Sequence, residues 1–259
     1  MRALLVLPAL GALAACASAP PPAVSQSRAE QVLSKVDVIA QPVEVVAADI
    51  RFARAARETG QWAAFRAFAA DGAVIHWRME PPIAAMPWLE QQEEEAEASQ
   101  WAPSAVWASC TGDTAVTYGR VRDSEGGWGQ YVTVWQRQFD GDYKWAYFMY
   151  VFDPDLTERM EARRDEEPLE EGGITVEAFD DIAARVADCG DEALPAPRNF
   201  VTMFNIKHGQ YVSRDGSLVW RWYHQTPGGT RGLTVDFVKR GEWEEALAFR
   251  VGLGDVIIK

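Results

Sequence analysis

Between residues 104 and 152 the chain carries four strand-length segments in succession, and turn chemistry separates each from the next. The segments are 104–109, 114–122, 129–139 and 142–152; the breaks are Thr111-Gly112-Asp113, Glu125-Gly126-Gly127 and Asp140-Gly141. Connections this short only allow antiparallel neighbours, so the run predicts a meander, with Asp-Gly as a strong two-residue hairpin signal. In the third segment Tyr131, Thr133, Trp135 and Phe139 share one face, while Val132 and Val134 share the other. Apolar residues on both faces predict a sheet covered on both sides for part of its length.

Helices precede this run. Residues 43–59 read as a helix, with Val46, Ile50, Ala53 and Ala56 at helical spacing and Glu44, Asp49, Arg51, Arg54 and Glu58 mostly off that stripe. Gly60 ends it, and Trp62, Phe65 and Phe68 then recur every three residues as the aromatic stripe of a second, short helix. Residues 73–78 read as a strand stopped by Pro81-Pro82, and 83–90 as another helical segment. The acidic run 90–97 lacks the loop pattern of a calcium site and reads as a solvated surface. Beyond the meander come a charged helix at 157–171 and an amphipathic helix at 176–186. A three-strand meander follows at 218–224, 232–240 and 244–251, with a fourth strand from 200–207 or 211–212.

The N-terminus has its own logic. Arg2 precedes an apolar run, Leu4 to Leu13, too short to span a bilayer as a mature helix, and Leu13-Ala14-Ala15-Cys16 follows. This resembles the lipobox of bacterial lipoproteins. The resemblance implies a signal peptide at 1–15, acylation of Cys16, a Pro/Ala/Ser tether within 16–42, and a body held in the cell envelope facing the periplasm. Ala17 after the cysteine implies the outer membrane by the same resemblance. The other reading is an ordinary signal peptide cut after Ala19, with Cys16 incidental. In such a compartment Cys110 and Cys189 either form a disulfide or remain two thiols. No CxxC pattern is present and His76, His208 and His224 are scattered, so neither a metal nor a cofactor is expected. A formal charge of −13 argues against nucleic acid or anionic lipid as an electrostatic partner.

Two helices, a strand, a Pro-broken segment and a run of antiparallel strands is the element order of the NTF2-like fold, with its ketosteroid-isomerase, SnoaL-like and DUF4440 groups. The local residues are similar too. Glu58-Thr59-Gly60-Gln61-Trp62-Ala63-Ala64-Phe65 leads into AADGAV, SCTGDTAVTYG covers 109–119, and YVTVWQRQFDGDYKW covers 131–145. The resemblance spans about 43–152 and implies an α+β cone, helices on a strongly bent antiparallel sheet. A charged linker helix at 153–173 and a β-rich α+β region at 174–259 would follow. Homodimers are common in this fold, so a second copy is one expected partner.

Eight of the eleven tryptophans lie between Trp62 and Trp145, where the cone would be built. The ligand-binding candidates are Trp62, His76, Arg78, Tyr118, Tyr131 and Trp135. His76 is the candidate general base if its side of the strand faces the cone, and otherwise a hydrogen-bonded wall residue. Tyr118 is the candidate oxyanion donor or a packing residue. The core strands carry no carboxylate matching an isomerase base, since Asp153 arrives only at a strand end. Two functions follow as expectations. One is a lipid-anchored protein that binds a small molecule or a protein partner without catalysis, with Trp220, Trp222 and Tyr223 as a docking surface. The other is a SnoaL-like lyase, isomerase or hydrolase using His76 and Tyr118.

Overall fold

The structure, a computed structural model, describes residues 40–77, 80–166, 181–189, 196, 205–226, 228–252 and 256–258. The leader, Cys16, the tether up to residue 39, Arg78 and residues 176–180 of the expected helix at 176–186 lie outside them. In chain order the elements are α1 (Pro42–Thr59), α2 (Gln61–Phe68), β1 (Ala69–His76), β2 (Ile83–Ala84), α3 (Ala85–Leu89), β3 (Gln100–Ala108), β4 (Thr114–Arg122), β5 (Trp128–Arg137) and β6 (Tyr143–Phe152). Then follow α4 (Pro154–Glu166), β7 (Ala183–Val186), β8 (Ile206–Val212), β9 (Leu218–Gln225), β10 (Arg231–Lys239), β11 (Glu242–Val251) and β12 (Val256–Ile258).

Pro42 occupies the first turn of α1, where its missing N–H costs nothing. The helix buries Val45, Ala48, Asp49, Phe52, Ala53 and Ala56, a stripe rotated by one position from the one expected at Val46 and Ile50. Gly60, at φ 105°, makes the joint to α2, and a Cβ there would lie 2.7 Å from the Glu94 carboxylate. That carboxylate accepts the free N–H groups of Trp62 and Ala63 at 2.9 and 2.7 Å. The acidic run is therefore not all solvated surface: Glu94 satisfies a helix N-terminus and completes its dipole.

Strands assemble into a seven-stranded sheet in the order β2-β1-β6-β5-β4-β3-β7 and a five-stranded sheet in the order β12-β11-β10-β9-β8. The meander β3-β4-β5-β6 is antiparallel, while β1 joins β6 and β7 joins β3 in parallel. The first sheet is thus mixed rather than antiparallel. Register shifts between Pro103 and Ala105, and between Val134 and Trp135, are the irregularities that bend such a sheet. Residues 183–186, expected to close a helix, form the edge strand β7 instead; β-pairing with β3 overrides the amphipathic pattern. At 83–90 the helix is shortened to α3 by the β1–β2 pairing at Ile83 and Ala84.

Each face of the first sheet has its own core. Helices α1 and α2 cover one face, where Phe52, Phe65, Trp101, Trp135 and Trp145 pack together. The second sheet covers the other, setting Val132, Val134, Tyr147 and Met149 against Leu218, Trp220, Leu233, Val235 and Phe249. The alternation in β5 is realised for Tyr131 and Trp135 on the helix side and for Val132 and Val134 in the seam between sheets. However, β5 ends at Arg137, and Phe139, expected on the same face as Trp135, is fully exposed in the hairpin turn. Helices on a bent mixed sheet make an α+β fold compatible with an NTF2-like cone.

The seam is fastened at one end. Cys110 and Cys189 form a disulfide, with Cα atoms 5.1 Å apart, between the β3–β4 turn and the chain leaving β7. Beside it the Cys110 N–H donates to Ser217 Oγ at 2.8 Å and the Thr111 N–H to Asp215 Oδ2 at 2.7 Å. Arg214 N–H returns a bond to Asp113 Oδ2 at 2.7 Å. Turns of the two sheets therefore hold each other through side chains that also shape the turns themselves.

Candidate functional site

His76 and Tyr118 are not brought together. They sit on β1 and β4, and β6 and β5 run between those strands. Three strand spacings separate them by about 14 Å. His76 is fully buried and turned into the seam, away from the cone, because the residue that alternates into the helix-side core is Ile75. Its Nδ1 lies 2.7 Å from the Tyr147 hydroxyl and its Nε2 3.3 Å from His224 Nδ1. Burial, then the charges of Arg231 and His224, push its pKa down to about 3, so the ring stays neutral near pH 7. Tyr118 also faces the second sheet, with its ring 6.1 Å from that of Phe249. Its hydroxyl donates to Gln130 Oε1, and burial lifts the phenol to about 12. Gln130 in turn donates to Asp153 Oδ2 at 2.7 Å, so the carboxylate at the strand end is held by structure.

The helix side of the first sheet, where the expected cone would hold a ligand, is filled by its own side chains. Trp62, Tyr131 and Trp135, expected to line a ligand site, are 4%, 1% and 0% exposed. Trp135 donates to Thr117 Oγ1 at 2.9 Å, and Phe52 packs edge-on against it from α1. At this closed centre sits Asp49, which the sequence pattern assigned to solvent. Trp101 Nε1 donates to its Oδ1 at 2.9 Å and the Tyr131 hydroxyl to its Oδ2 at 3.0 Å. Burial raises its pKa to about 6, against the lowering effect of hydrogen bonds from Thr117, Tyr131 and Trp101. The missed signal was spacing: Asp49 stands four residues after Val45 and three before Phe52, on the buried stripe.

Open space lies outside the cone. A surface groove of about 410 Å³ runs past the end of β1, walled by Trp77, Pro81, Pro82, Ile83 and Trp88. Glu80 and Lys207 form its polar rim. Trp77 and Trp88 lie 5.5 Å apart, centroid to centroid, and both lean edge-on against Trp62 beneath them, at 6.1 and 5.3 Å. The expected ligand residue Trp62 is thus the floor under a groove rather than its wall. A second groove of about 450 Å³, beside α1 and the β5–β6 hairpin, is bordered by Glu44, Arg51, Arg137, Asp140 and Asp142. Its charges of both signs favour no one ligand class.

Immediately behind the first groove is the polar end of the seam. On β9, Leu218, Trp220, Trp222 and His224 share the face turned to the first sheet, so Trp220 and Trp222 are packing residues and not a docking surface. Arg231 pairs across from His224 on β10. Its two terminal nitrogens donate to the carbonyls of His76 and Tyr150, both at 3.2 Å. Among the described residues its Nε and the Trp222 Nε1 are buried donors without a partner. Gly209 on β8 makes room for that indole, since a Cβ there would lie 2.3 Å from Nε1. Among the described residues no carboxylate pairs with Arg231. Burial lowers its pKa to about 10, which still leaves it charged at neutral pH.

No protein-family model matches this chain, and no curated protein sequence matches it. Among solved structures it is similar to ActVI-ORFA from Streptomyces coelicolor, at 17% identity and a TM-score of 0.32, over 43% of this chain and 96% of that one. A structure from Catenulispora acidiphila is similar at 16% identity and a TM-score of 0.30, over 52% of this chain and 98% of that one. Both likenesses are confined to about half of this chain.

Proposed function

We propose that this chain is a lipid-anchored envelope protein whose body binds a small apolar ligand in the Trp77–Trp88 groove and performs no chemistry on it. The observation that carries this reading is the contrast in occupancy. Phe52, Tyr131, Trp135 and Trp145 close the cone at 1% exposure or less, while an aromatic-walled groove stays open outside it. Aromatic and proline walls with a few polar groups at the rim are the usual make-up of a small-molecule site. The enzymatic alternative needs His76 and Tyr118 on one cavity, and the fold sets them three strand spacings apart in a packed seam. The envelope address draws support from the Leu13-Ala14-Ala15-Cys16 segment and from the Cys110–Cys189 disulfide, a bond that persists in oxidising compartments.

Two experiments test it. Cells fed radiolabelled palmitate should label the wild-type chain and leave Cys16→Ala unlabelled; equal labelling of both would remove the anchor. The unacylated Cys16→Ser chain should bind the fluorescent probe N-phenyl-1-naphthylamine saturably at one site, and Trp88→Ala should abolish that binding. Non-saturable uptake, or binding indifferent to Trp88, would contradict the groove.

A further inference from the structure

We infer that the groove selects an apolar organic acid, its hydrophobic body laid against Trp77 and Trp88 and its single carboxylate drawn to the Lys207–Arg231 side. This inference rests on the ligand-binding reading above and adds the chemical class of the ligand. Four observations converge on it.

First, the groove is lined by five apolar residues and two charged ones, Glu80 and Lys207, and a volume of about 410 Å³ suits a molecule the size of a substituted naphthalene. Second, Arg231 lies one residue behind the groove wall: it bonds the carbonyl of His76, the neighbour of Trp77. It is 4% exposed and lacks a carboxylate partner among the described residues. A buried guanidinium in that state is costly, and an anion brought near it recovers part of the cost. Third, Lys207 pairs with His224 in the β8–β9 register, next to Arg231 across β9, so both cations belong to the same end of the second sheet. Among the described residues Glu80 supplies the one opposing charge on the rim, so that Lys207 and Arg231 leave a surplus of one positive charge there in a chain of net charge −13. Fourth, the Arg231 Nε and the Trp222 Nε1 are buried and unpartnered among the described residues, so that there this end of the seam has donors in excess of acceptors. The surplus matches one carboxylate. A polyanion is disfavoured by Glu80 and by the acidic surface at large.

The test is a competition assay on the Cys16→Ser chain loaded with N-phenyl-1-naphthylamine, at pH 7.5. The competitors are 2-naphthoate and its neutral analogue 2-naphthylmethanol, which share the same ring body. The acid should displace the probe at a concentration about tenfold lower than the alcohol, as one favourable charge contact provides. Lys207→Met, at an exposed position, should erase the preference for the acid, read as the ratio of acid to alcohol displacement. Arg231→Lys should retain the preference and Arg231→Met should lose it. Added salt should weaken the acid alone. Equal displacement by acid and alcohol, or a preference that survives Lys207→Met, overturns the inference while probe binding keeps the ligand-binding reading in place. Absence of saturable probe binding overturns both.

Discussion

The two faces of the first sheet bury ionisable groups on opposite terms. On the helix side Asp49 is enclosed by Trp101 and Tyr131, each of which donates to a different carboxylate oxygen, and its surroundings push it towards the protonated form. On the seam side His76, His224, Tyr147 and Arg231 also lie together, but the cluster is left with donors to spare and stands behind an open groove. The difference separates a polar group built to finish a core from one positioned to meet something else. Burial is common to both; the ionisable groups differ in satisfaction, Asp49 having a donor on each oxygen and Arg231 a donor unmet among the described residues. The helix side also leaves one neutral hydroxyl, Thr133 Oγ1, unmet among them.

That contrast can be attacked through stability first. Trp135→Ala should cost about 3–5 kcal/mol, since it empties the closed cone, whereas Trp88→Ala at the groove should cost about 1 kcal/mol. Urea denaturation of both variants measures the gap, and equal losses would mean the groove is part of the core. Next in size is the fastening of the seam. Replacing Cys110 and Cys189 together by Ser removes a crosslink spanning 79 residues and should cost about 2–4 kcal/mol. Near-UV circular dichroism should show the loss as earlier melting of the tryptophan signal.

The pH dependence sharpens the comparison, because the two clusters pull in opposite directions. His76 has its folded pKa depressed from 6.5 to about 3, and His224 is lowered as well, mainly by burial. Their contribution is therefore complete above pH 6.5 and is lost as pH falls towards 3. Asp49 has its folded pKa raised from 3.8 to about 6, so its contribution is complete below 3.8 and is lost as pH rises through 6. Between about pH 6 and 4 the two slopes offset each other, each on the order of 1 kcal/mol per pH unit. Asp49→Asn should make acidification in that window more destabilising, and His76→Gln should make it less so, with His224 still titrating in the same sense as His76. Melting curves from pH 4 to 7 that respond alike in both variants would contradict the assignment. The smallest effect belongs to the groove rim: Ile83→Ser, at a side chain 37% exposed, should change stability by less than about 0.5 kcal/mol. The same substitution should nevertheless weaken probe binding.

Much of the scaffold was legible from local chemistry. The β4 bounds, 114–122, follow directly from the turns on either side, and the two-sided burial of β5 follows from its alternation. The site was less legible, for reasons that can be named. Alternation placed His76 and Ile75 on opposite faces of β1 correctly; what it could not supply was which face would be covered by helices and which by the second sheet. Asp49 was missed because a stripe drawn through Val46 and Ile50 is off by one position, and one position is 100° on a helix. Six of the seven residues lining the groove lie within 77–88 and only Lys207 comes from a distant segment, but nothing in that short stretch announces that it folds around open space. Arg231 stands out only once its neighbours are known to be carbonyls and not carboxylates.

The central claim is that ligand enters at the groove and the cone stays shut. Fluorine NMR of the Cys16→Ser chain labelled with 5-fluorotryptophan tests it directly, with Trp77→Phe, Trp88→Phe and Trp135→Phe used to assign three of the eleven lines. On titration with 2-naphthoate the Trp77 and Trp88 lines should shift together and saturate, while the Trp135 line stays fixed. A saturating shift of the Trp135 line with the Trp77 and Trp88 lines unmoved would place the ligand inside the cone and contradict the account.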